Sequence, residues 1–149
     1  MTTYFEDDAA VARIALGMMD RSLPKPEWTH AAHFATALWL IRHERDEPPE
    51  RAMPGLIRAY NEATGGTNSD TDGYHETITQ ASLAAARGVL AAHPPDAPLH
   101  AVLDDLMAGP LGRSDWPLAY WSKARLFSVE ARREWVEPDL APFNPQRAP

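Results

Sequence analysis

The chain lacks cysteine, long apolar runs, a surplus of positive charge and any clear strand pattern. With no cysteine among 149 residues, a disulfide framework, a thiolate metal site and a cysteine nucleophile are all excluded. No apolar stretch approaches the ~18 residues that a membrane-spanning helix needs. The opening segment, MTTYFEDDAAV, has neither a basic nor an apolar block, so no secretory leader is expected and a cytoplasmic location is the default. Lys and Arg total 14 against 21 Asp and Glu, a formal charge of -7. Nucleic acids and anionic membranes select clustered cations, so neither is expected as a partner. Small molecules, metal cations and proteins remain, among them a second copy of the chain as a homodimer.

Sustained apolar–polar alternation and an Asn-Gly hairpin turn are also missing. What is present is helical period broken by proline. The pattern predicts four main helices, over residues 3–20, 30–44, 50–63 and 74–92. Thr29 stands where an N-cap belongs, and Pro54 falls in the first turn of the third helix, where proline is tolerated. GGTNSDTDG, residues 65–73, reads as a loop. A shorter helix follows Asp96 or Pro98, with Leu99, Val102, Leu103, Leu106 and Met107 as its stripe. Two short helices are expected around Tyr120 and before Trp135, and a Pro-rich extended tail over 137–149. The fold class is therefore all-α: one helical bundle domain spanning 1–149.

The chemistry-bearing residues gather at two helix starts. In WTHAAH, helical spacing places His30 and His33 on the face that also carries Phe34, Ala37 and Ile41. In the fourth helix, His75 shares a stripe with Ile78, Thr79 and Ser82, and Glu76 lies at its flank. Should the two helix starts converge, three imidazoles and a carboxylate would surround one point. That set suits a divalent ion such as Zn, Fe, Cu or Ni with an open position for substrate. The expected ligands are His30, His33, His75 and Glu76. Glu76 doubles as a general base, and Thr79 orients a ligand or a bound water. Substrate contacts are expected from Trp28 and Tyr74 beside the histidines. Tyr120, with Trp116 and Trp121, would wall a pocket in which Arg125 or Lys123 holds a carboxylate. The competing reading makes the same aromatic and basic residues ordinary core and capping residues.

WTHAAH, YHETIT and the ending SKARLFSVEARREWVEPDLAPF together resemble a group of uncharacterised small bacterial helical proteins. These carry a Thr-His-x-x-His segment, a Tyr-His-Glu-Thr segment and a Pro-Asp-Leu tail. The resemblance spans most of the chain and implies that Trp28, His30, His33, His75, Glu76, Arg125 and Arg132 belong to recurring motifs. A looser resemblance links the chain to DinB-like bundles, which hold a divalent metal with three histidines; their late His-x-x-x-His pattern is absent here. The functional expectation is a small metal-dependent enzyme acting on a small molecule by hydrolysis, elimination or oxygen chemistry. Its alternatives are a metal-free acid–base enzyme and a non-catalytic ligand-binding or interaction protein.

Overall fold

The structure is a computed structural model that describes residues 3–145; the end of the expected tail, residues 146–149, lies outside them. Seven α-helices are present among the described residues: α1 (Asp8–Met19), α2 (His30–Arg42), α3 (Pro49–Ala63), α4 (Glu76–Ala91), α5 (Leu99–Ala108), α6 (Lys123–Leu126) and α7 (Val129–Arg133). Three single 3-10 turns join them, at Lys25–Glu27, Pro110–Gly112 and Trp116–Ala119. The described residues contain no strand, as the missing alternation predicts. None of their helices is long and apolar enough to cross a membrane.

Caps decide where the helices start. Asp7 accepts the Ala10 N–H and opens α1 five residues later than the apolar pattern predicts. Thr29 does the same for α2 through Ala32, as expected. α4 begins at Glu76 and not at Tyr74, because His75 is extended (φ -133°, ψ 110°) and serves as the cap itself. Pro54 lies inside α3 and not in its first turn, since α3 opens already at Pro49. Proline lacks the N–H that would have bonded the carbonyl four residues back. That carbonyl, on Glu50, accepts instead from the Gln80 side chain at 3.0 Å.

α2 is the central element and packs against α1, α3, α4 and α5. Its buried residues run from Ala31 through Leu40 on nearly every side of the helix, so burial is not confined to one stripe. The main core joins Phe34, Leu38, Leu83, Leu103, Trp121 and their neighbours. A smaller cluster, Ile14, Met18, Leu23, Ala32 and Tyr60, fills the space between α1, α2 and α3.

Helix directions follow from cross-contacts. Trp28, just before α2, meets Tyr60 near the end of α3 with ring centroids 5.4 Å apart. Arg87, late in α4, pairs with Glu50 at the start of α3, while Arg58 late in α3 lies over Tyr74 before α4. α3 is thus antiparallel to both neighbours, and α2 and α4 run in the same direction. Their first turns share one end of the molecule.

Candidate functional site

Sharing an end does not bring the expected ligands together. His75, 7% exposed, has both ring nitrogens occupied. Its Nδ1 accepts the Ile78 N–H at 3.1 Å, and its Nε2 donates to the Leu126 carbonyl at 2.6 Å. An N–H can only donate and a carbonyl can only accept, which fixes the neutral tautomer with its proton on Nε2. Burial, first, and then the Arg132 charge lower the imidazole pKa and keep the ring neutral.

His30 turns elsewhere and donates from Nε2 to the Leu111 carbonyl at 2.7 Å; its ring packs edge-on against Phe34. His33, expected to face inward, is exposed, and its ring lies 4.0 Å from that of Trp28. No hydrogen bond to another described residue engages it. Desolvation by the surrounding protein, then His30 and Lys25, hold its pKa well below the ordinary 6.5. Its exposed edge lets water moderate that effect. Glu76 accepts a hydrogen bond from the Tyr74 hydroxyl. Burial and that neighbouring carboxylate raise the Tyr74 pKa. Among the described residues, no group of three or more His, Cys, Asp or Glu side chains stands where it could hold a metal ion. The expected set of His30, His33, His75 and Glu76 is therefore not assembled. Each side chain has turned to its own neighbours or to solvent.

What YHET does instead is clasp the C-terminal segment. The Thr77 hydroxyl, fully buried, donates to the Ala131 and Glu134 carbonyls at 2.8 and 3.0 Å and accepts the Val136 N–H at 3.2 Å. Arg132 reaches back to the Gly73 and Tyr74 carbonyls. Ser122 and Ser128 cap α6 and α7, and Asp139 holds Ser122 through both its hydroxyl and its N–H. Thr77 went unnoticed in the sequence because a threonine in the first turn of a helix carries no signal of a partner 54 residues away.

The expected substrate contacts divide. Trp28 packs at a tilt against His33 and edge-on against Tyr60. Arg125 donates from its Nε to the Glu137 carbonyl and so ties the chain to its C-terminal segment. Tyr120 does line a cleft. Pro110, Leu111, Trp116, Leu118 and Tyr120 wall a space of about 420 Å³, with the Arg113–Asp115 ion pair at its edge. A smaller hollow of about 100 Å³, bounded by Val89 and Phe143, shares Pro110, Leu111 and Tyr120 with it. His30 holds this wall from behind through Leu111.

No protein-family model, curated protein or solved structure matches the chain.

Proposed function

We propose that the protein binds a small, largely apolar molecule in the Tyr120 cleft. The observation that carries the reading is the cleft itself. Its volume of about 420 Å³ lies within the range of roughly 300–1,000 Å³ typical of ligand sites, and it combines apolar and aromatic walls with a few polar groups. Tyr120 offers a face for stacking beside the buried Trp116, and Arg113 and Asp115 supply charge at the rim. In this reading the four main helices, with α5, are a cytoplasmic scaffold for the 3-10 segments that carry the cleft.

A catalytic form of the reading has one observation in its favour. His33 is accessible and free of hydrogen bonds to described residues, so its imidazole is available as a proton acceptor. The metal-dependent form would rest on His33 and His30 without a third ligand beside them. We therefore adopt the binding reading, with His33 as the residue through which a metal-free enzyme would act.

Fragment screening by two-dimensional NMR separates these. The binding reading expects hits that shift Trp116 and Tyr120 and are weakened about tenfold or more by Tyr120→Ala, with His33→Ala without effect. Hits that cluster on Trp28 and His33 and vanish in His33→Ala would contradict it and favour the catalytic form.

A further inference from the structure

At the opposite flank of YHET, three guanidinium groups face one small depression of about 170 Å³, lined by Arg58, Asn68, Asp70, Tyr74, Arg132 and Arg133 among others. This is a local reversal of sign in a chain of net charge -7. The three arginines have different commitments. Arg133 is paired through two hydrogen bonds, at 2.8 and 2.7 Å, with Asp70, the one carboxylate in the lining. Arg132 uses Nη1 on the carbonyls of Gly73 and Tyr74 and meets no carboxylate. Arg58 is placed over the Tyr74 ring, 4.4 Å from its centroid, and makes no ion pair among the described residues. The nearby acids are already engaged: Glu62 accepts from Asn68, Asp72 from Thr71, and Glu76 from the Tyr74 hydroxyl.

We infer that this depression is a binding site for a phosphate group, held between Arg58 and Arg132. The guanidinium groups approach from two separate elements, α3 and α7. A planar carboxylate satisfies one such fork, whereas a tetrahedral phosphate offers oxygens in several directions and carries ~1.5 to 2 negative charges. Stacking on Tyr74 fixes Arg58 before the anion arrives, which reduces the entropy lost on binding. Asp70 sets the limit of the site: its pairing with Arg133 leaves Arg58 and Arg132 as the two cations free of carboxylate partners.

The test is a titration of the full chain with inorganic phosphate at low ionic strength, followed by amide NMR, with parallel titrations by glycerol phosphate and acetate. Saturable shifts confined to residue 58, residues 68–74 and residues 132–133, with half-saturation on the order of 1 mM, are expected. Arg58→Gln should weaken binding at least about tenfold at an unchanged melting temperature, and Lys123→Gln should leave it as it is. Glycerol phosphate binding more tightly than phosphate points to a phosphorylated small molecule, and equal binding to free phosphate; both support the site. Shifts that fail to saturate, shifts spread over all basic residues, acetate binding as tightly as phosphate, or Arg58→Gln binding like the native chain would each overturn it.

Discussion

At residue 75 the extended backbone aims Nδ1 at the Ile78 N–H, and the same ring orientation sends Nε2 to the Leu126 carbonyl. Truncating this side chain removes a helix cap, worth ~1 kcal/mol, and strands a largely buried carbonyl, at ~1–3 kcal/mol. His75→Ala is therefore expected to cost about 2–4 kcal/mol, read as a lower urea midpoint with an unchanged slope. His43, exposed and bonded only to the Trp39 carbonyl of its own helix, should cost under ~0.5 kcal/mol on the same substitution. Equal losses from both variants would contradict the capping role. His33 shows the converse. Helical spacing places it one turn from His30, but cannot tell an inward ring from one packed at a tilt against Trp28 at the surface.

Among the elements, the middles of α1 to α5 were legible because apolar period and proline punctuation agree. The starts were less so. A cap competes with helical propensity through one hydrogen bond, so Asp7 and His75 each shortened a helix that periodicity alone would extend. The polar clasp between α4 and α7 was illegible for another reason: its bonds join side chains to backbone atoms, which have no sequence identity. Leu126, Ala131 and Glu134 serve through their carbonyls. Thr77→Val keeps the volume and removes the hydroxyl, leaving two carbonyls and the Val136 N–H without this partner. An expected cost of about 2–3 kcal/mol follows. Because Trp121 bonds the Val136 carbonyl, tryptophan fluorescence should report loosening of the C-terminal segment. A variant as stable as the native chain, with unchanged fluorescence, would show that the clasp is not needed.

For the molecule as a whole, the parallel course of α2 and α4 fulfils the spatial premise behind the expected metal site, yet the rings still part. The end they share is wide enough for His30 to serve the Tyr120 cleft wall while His75 serves α6. Proton linkage makes the difference measurable. His75 has a lowered pKa in the fold, so as pH falls below about 6.5 the unfolded chain takes up a proton first. Its contribution to stability is complete above that pH and is lost as pH falls toward its folded value. His93, raised by its bond to Asp105, acts oppositely: its contribution is complete below 6.5 and lost as pH rises through its folded value. The most direct measurement is a nitrogen-15 NMR titration of the imidazole rings, with and without added zinc. The account predicts that His75 stays in the Nε2–H tautomer, titrates below 6.5 and ignores zinc, while His93 titrates above 6.5. A His75 ring protonated on Nδ1, or one whose nitrogens shift together with those of His30 and His33 when zinc is added, would contradict it.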